Sequence, residues 1–268
     1  DNRLMSLQLI RNDMTDAVMF GPDGNNLLPA TVLYKKNILA LRGSFRPVTK
    51  VNMDMFQKSY DIFIREQTVE YENTIVVFEI TLSNLKASGE IDEQDFMDRA
   101  ELLSSLGHTV LISKFQEYYK LVEYFNNYTK AKLGLTMGIN NLVDVFDEKY
   151  YRHLSGGILE AFGKLFFKDL KVYLYPMKDP ETGQIMTSNN VKVHPRMKEL
   201  YKFFKYNGKV MDIIDYDPDI MDIFSREVLK RITNGEEGWE EMLPEGIAEI
   251  IKEKQLFSRK ILAEKEKA

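Results

Sequence analysis

Ten consecutive residues, Gly43-Ser44-Phe45-Arg46-Pro47-Val48-Thr49-Lys50-Val51-Asn52, join a small-residue turn to two cations, a hydroxyl and an amide. That set suits phosphate. The segment follows an apolar run of strand length and opens a stretch at helical spacing, so backbone amides of the turn could approach an anion while the helix N-terminus adds partial positive charge. The same composition also describes an ordinary strand-to-helix connection. Thr49 reads equally as a helix N-cap or a phosphate contact.

Other polar groups point to structure more than to chemistry. Gly156-Gly157 before an apolar helical stretch could form a second anion-binding turn or simply let that helix pack closely. Histidines 108, 153 and 194 share no helical or strand spacing, which argues against a histidine metal site, and no metal ligand is assigned. Asp92, Glu93, Asp95, Asp98 and Arg99 read as a capped, solvated helix start. Tyr118, Tyr119, Tyr124, Phe125 and Tyr128 read as core, with one tyrosine free to stack on a base.

The elements that position these groups follow from periodicity. Strand-length apolar runs at 38–41, 74–80, 109–112, 133–137 and 170–175 alternate with helical spacing at 52–66, 93–106, 117–129, 142–151 and 158–167. Strands joined through helices predict a parallel sheet covered on both faces, because parallel neighbours need a crossover. The expected fold is therefore α/β, a doubly wound, Rossmann-like parallel sheet with a helical C-terminal segment. Three regions are expected: an N-terminal extension at 1–36, which could be the end of a longer upstream region, an α/β domain at 37–240, and a C-terminal helix with a charged tail at 241–268. Within the extension, the run at 17–20 and the turn-rich residues 21–26 suggest an edge strand or a lid.

Composition narrows the function classes. The 268 residues are 44% apolar, enough for a substantial core. A net charge of −5 argues against backbone-driven nucleic-acid binding. No apolar run is long enough to span a bilayer and no secretion signal begins the chain, so no membrane partner is expected. The absence of cysteine removes disulfides and thiolate chemistry and is compatible with a reducing compartment, with cytoplasm as the expected location.

With its surroundings, the 43–52 segment resembles the nucleotidyltransferase superfamily that includes nicotinamide or nicotinate mononucleotide adenylyltransferases and the pantetheine-phosphate enzymes. Those families carry Gly-Ser/Thr-Phe-x-Pro-x-Thr/His-x-x-His at the first strand-helix turn. Gly43, Ser44, Phe45, Pro47 and Thr49 match it, and Asn52 stands at the second histidine. Gly138-Ile139-Asn140 occupies the place of the family's Gly-x-Asp, and Ile223-Phe224-Ser225-Arg226-Glu227-Val228-Leu229 resembles its Ile-Ser-Ser-Thr-x-Ile-Arg segment. Residues 243–257 are similar to the closing helix, so the resemblance runs in order from about 37 to 257. Asn52, Asn140, Phe224, Arg226 and Leu229 depart from the family's His, Asp, Ser, Thr and Arg.

The resemblance implies ATP as substrate, Mg²⁺ carried by the nucleotide, and adenylyl transfer to a small phosphorylated acceptor such as nicotinamide or nicotinate mononucleotide. Gly43, Ser44, Phe45, Thr49, Gly138, Asn140, Ser225 and Arg226 become the expected nucleotide-binding residues. Asn140 also reads as a helix cap. Asn52 donates through an amide where an imidazolium would stand, so Arg46, Lys50 and Arg226 are expected to supply the missing charge, with Asn52, Arg46 and Lys50 as the catalytic candidates. The same departures motivate an alternative, a catalytically inactive relative acting as ligand sensor or assembly module, and a homo-oligomer stays open.

Overall fold

The computed structural model describes residues 2–86 and 89–257, so the charged tail expected beyond 257 lies outside the described residues. The N-terminal region supplies α1 (Asn2–Arg11), β1 (Ala17–Phe20), β2 (Asn26–Leu27) and α2 (Pro29–Val32). Then follow β3 (Asn37–Arg42), α3 (Lys50–Phe63), β4 (Thr74–Thr81), α4 (Leu82–Lys86), α5 (Glu93–Ser105), β5 (Thr109–Ser113), α6 (Tyr118–Asn126), β6 (Leu133–Gly138), α7 (Ile139–Val145), α8 (Gly157–Leu165) and β7 (Lys171–Tyr175). A short hairpin of β8 (Met177–Lys178) and β9 (Ile185–Met186) precedes α9 (Lys198–Tyr206), β10 (Val210–Asp212), α10 (Ser225–Asn234) and α11 (Ile247–Lys254).

The main sheet has eight strands in the order β10-β7-β6-β3-β4-β5-β1-β2. From β10 to β5 every pairing is parallel, and β1 and β2 add an antiparallel edge. Succession along the chain therefore runs outward from β3 in one direction and from β6 in the other, the doubly wound arrangement whose switch point lies between those two strands.

Alternation along the strands sorts the core. Ile38 and Ala40 of β3 face the side covered by α6, α7, α8 and α9, while Leu39 and Leu41 face α3, α5, α10 and α11. All four are buried, as expected of a strand covered on both faces. The five strands and four of the five expected helices stand within a few residues of where periodicity places them, while the stretch at 142–151 is the end of α7 followed by a separate 3-10 turn at Glu148–Tyr151. β10 was not anticipated, since three residues are too short for a period to register.

The run at 17–20 forms a strand, paired to β5 from Ala17↔Ser113 to Phe20↔Val110, and the two-residue β2 outside it is the edge. At the other terminus α11 buries Ile247, Ala248 and Ile251 against α5 and Trp239. Phe257 N donates to Asp98 Oδ2 at 2.9 Å, anchoring the end of the described chain. Among the described residues no helix is long and apolar enough to cross a membrane.

His108 sits against this core, its ring stacked 4.2 Å from Phe78 and edge-on to Phe56 at 4.9 Å. Burial disfavours the imidazolium and pushes its pKa down from 6.5 to about 4. The unfolded chain thus takes up a proton as pH falls below 6.5 while the folded one does not, so this contribution to stability is complete above 6.5 and lost on the way down to about 4. The full difference corresponds to about 3 kcal/mol, and partial exposure of the ring reduces this to about 2 kcal/mol. Urea midpoints of the wild type are expected to fall across that interval more steeply than those of His108→Phe; parallel curves would refute it.

Candidate functional site

The first strand-helix turn is built around a ring. Phe45 has φ of 46°, a left-handed conformation that non-glycine residues seldom adopt, and its side chain is buried against Phe78 at 5.4 Å. That ring lies over Gly43, where a Cβ would come within 2.8 Å of it. Gly43 N donates to Glu79 O at 3.1 Å, so this amide extends the sheet and glycine serves here to make room for Phe45. Gly43→Ala is expected to destabilise the protein by about 1–3 kcal/mol through overpacking, measured by denaturant unfolding; an unchanged midpoint would show that the ring relocates freely.

Thr49 caps α3, with Asn52 closing a reciprocal capping box. Asn52 Oδ1 accepts from Thr49 N at 2.9 Å and from Thr49 Oγ1 at 3.1 Å. Its carbonyl is thereby committed to the helix start, and its Nδ2 is left to donate elsewhere. Both readings of the segment meet at these two residues, since the cap itself orients the amide.

Ser44, Thr49 and Asn52 line a cleft of about 720 Å³ together with Phe224, Ser225, Arg226, Glu227 and Lys230. The first turns of α3 and α10 therefore open into one space. The α3 start is closed by its own capping box, while α10 has no side-chain cap from Phe224 and carries Glu227 in its first turn. Arg226 and Lys230 are exposed, while Glu227 is engaged by Arg231 at 3.3 Å. The cleft thus combines two helix N-termini, two cations and several neutral donors.

Several expected site residues are placed elsewhere. Arg46 turns away and pairs with Asp95 on α5. Lys50 is exposed on the first turn of α3 and outside the cleft lining. Gly138 is the N-cap of α7 and Asn140 is exposed beyond it, so Asn140 neither caps that helix nor lines either cavity at this end of the sheet. Its neighbour Asn141 faces inward and donates to Tyr118 Oη at 2.8 Å. The turn at Gly156 is closed internally, its amide donating to Glu160 Oε2 at 2.9 Å.

The acidic start of α5 is not a solvated face. Asp92 does cap it, but Asp95, Asp98 and Arg99 are buried. Arg99 pairs with Asp95 and donates from Nη1 to the carbonyls of Ser44 at 3.1 Å and Asn84 at 3.3 Å. Asp95 thereby ties Arg46 and Arg99 together and fixes the turn from behind. The Asp95–Arg99 pair has the local i,i+4 spacing, but Arg46 lies 49 residues from Asp95 and Ser44 lies 55 from Arg99, so local spacing does not signal that the turn is held.

Beside the switch point a smaller cavity of about 190 Å³ is lined by Arg42, Asn84, Tyr118 and Asn141. Arg42 makes two bonds to Glu79, at 2.7 and 3.0 Å, and donates to Gln116 O at 2.8 Å. Its guanidinium lies 4.1 Å from the centre of the Tyr118 ring, and Ser113 Oγ donates to Glu79 at 2.6 Å. Burial is the largest single influence and acts to discharge Arg42, but Glu79, Tyr118 and Glu117 together outweigh it and hold the guanidinium more firmly protonated than usual. Burial also pushes the Tyr118 hydroxyl up, so it stays a neutral phenol. Among the described residues no group of three or more His, Asp or Glu is placed to hold a metal ion.

No family model and no curated protein matches the chain. Among solved structures it is similar to Plasmodium falciparum nicotinic acid mononucleotide adenylyltransferase complexed with NaAD, with a TM-score of 0.49 and 14% identity over 83% of this chain and 97% of that one. It is similar to the same enzyme complexed with APC, with a TM-score of 0.46 and 15% identity over the same shares of each chain.

Proposed function

We propose that the cleft between α3 and α10 binds ATP with its Mg²⁺ and transfers the adenylyl group to a small phosphorylated acceptor such as nicotinamide or nicotinate mononucleotide. The observation that carries this reading is the convergence of two helix starts, with Asn52, Ser225, Arg226 and Lys230 around one cleft outside the carboxyl end of β3.

In the reaction an oxygen of the acceptor phosphate attacks the α-phosphorus in line, a new phosphoanhydride forms, and pyrophosphate leaves with the electron pair of the broken bond. No covalent enzyme intermediate is needed, so the chain contributes position and charge. Amides of the Ser44 turn and of the α10 start hold phosphoryl oxygens, Asn52 Nδ2 orients one of them, and Arg226 and Lys230 neutralise charge on the departing pyrophosphate. These two cations stand in for the charge an imidazolium would supply at Asn52. Arg46, held by Asp95, acts on the turn's shape and not on the nucleotide.

Calorimetric titration of ATP with Mg²⁺, followed by pyrophosphate release with nicotinamide and nicotinate mononucleotides, tests both halves. Binding with release establishes transfer. Binding without release from either acceptor supports the second reading, a nucleotide sensor, which the commitment of the Asn52 carbonyl to its capping box favours. Absence of binding refutes the site.

A further inference from the structure

The connection from β7 to β10 builds another cleft, of about 610 Å³, that shares no lining residue with the first. One wall is α9 and the other the segment from Ser188 to Pro195. These walls are pinned together. Ser188 is 4% exposed and donates from N and Oγ to the two carboxylate oxygens of Asp212, at 2.8 and 2.6 Å. Its carbonyl accepts from Tyr201 Oη at 2.7 Å and from Lys205 Nζ at 3.1 Å.

Lys205 Nζ also donates to Asn189 Oδ1 at 2.6 Å. Its ammonium is thus positioned by two neutral oxygens, which orient the charge without cancelling it. Lys192 and Lys198 line the same cleft without a direct ion pair among the described residues, Lys192 acting on Asp179 and Lys198 on Glu199 only at longer range, whereas Lys202 is engaged by Glu199 at 2.8 Å. Asp212 is the carboxylate built into the wall, and Ser188 occupies both its oxygens. Val191, Val193 and Tyr206, the last 80% exposed, give the cleft an apolar side.

Positioned ammonium charge beside an apolar and aromatic surface recognises an anionic head on an apolar body, and the volume lies in the range of small-molecule sites. Three ammonium groups around one cleft favour a dianion over a carboxylate. We propose that this cleft is a second ligand site, for a small phosphomonoester with an aromatic or apolar body. The phosphate sits on Lys205, Lys198 and Lys192, and the body lies against Tyr206 and Val193.

Titration of the full chain with 1-naphthyl phosphate, and separately with 1-naphthol and inorganic phosphate, tests this. The ester is expected to bind at least about tenfold more tightly than either fragment, since each of its halves has its own contact. Lys205→Met is expected to weaken the ester about tenfold, and Arg226→Ala in the other cleft to leave it unchanged. Because Lys205 also braces Ser188, Lys192→Met and Lys198→Met serve as variants at exposed positions that hold no wall together, each expected to weaken binding about threefold or more. No binding of the ester, or binding lost with Arg226→Ala and retained in all three lysine variants, overturns the proposal.

Discussion

Arg226→Ala is expected to weaken ATP–Mg²⁺ binding about tenfold to a hundredfold and to lower any pyrophosphate release by about a hundredfold, with the fold unchanged. The side chain is exposed on the first turn of α10 and lines the cleft opposite Asn52, so its removal leaves no buried partner stranded. A charge-assisted hydrogen bond contributes about 1.5–3 kcal/mol, and removal of one donor aimed at developing phosphoryl charge costs on the order of 3 kcal/mol in the barrier. Arg226→Lys should recover much of the binding but less of the rate, since an ammonium restores charge without the planar fork. Calorimetry and single-turnover release measure both. Unchanged affinity in Arg226→Ala would move the nucleotide out of this cleft.

Glu79→Ala is expected to destabilise the chain by about 3–5 kcal/mol, which lowers Tm by about 10 °C for a protein of this size. The Glu79 side chain is fully buried and that of Arg42 is 6% exposed, so the substitution leaves a guanidinium in the interior without its counter-charge and Ser113 Oγ without its acceptor. Breaking one side of such a pair is far more costly than replacing both. The double variant Glu79→Leu with Arg42→Met is therefore expected to recover most of the lost stability, and a double-mutant cycle from urea unfolding isolates the coupling. Additive losses would show that the pair contributes nothing beyond its individual side chains.

Those two residues also show where local reading stops. Arg42 follows an apolar strand and Glu79 sits inside another, with nothing nearby to announce that parallel pairing sets Arg42 directly opposite Glu79. Ionic partners 37 residues apart are chosen by strand register. Register is a property of the assembled sheet.

From sequence alone the positions of the five central strands and their crossover helices were determined, because strands buried on both faces are apolar runs and helices covering them keep a 3.6-residue period. The Gly43-to-Asn52 turn was legible as well, since turn and cap chemistry is written in short spacings, whereas the segment that starts α10 was singled out only by its resemblance to a family motif. The tertiary structure alone decided which side chains at those places face the cleft. Adjacent helical residues point about 100° apart, so Asn141 enters the interior while Asn140 and Lys50 remain outside. Likewise Arg46 is drawn to Asp95, and Arg99 reaches the Ser44 carbonyl, through contacts that exist only once α5 is packed beside β4 and β5. Local periodicity encodes what a segment can bury; which partner meets a buried charge depends on what the rest of the chain brings beside it.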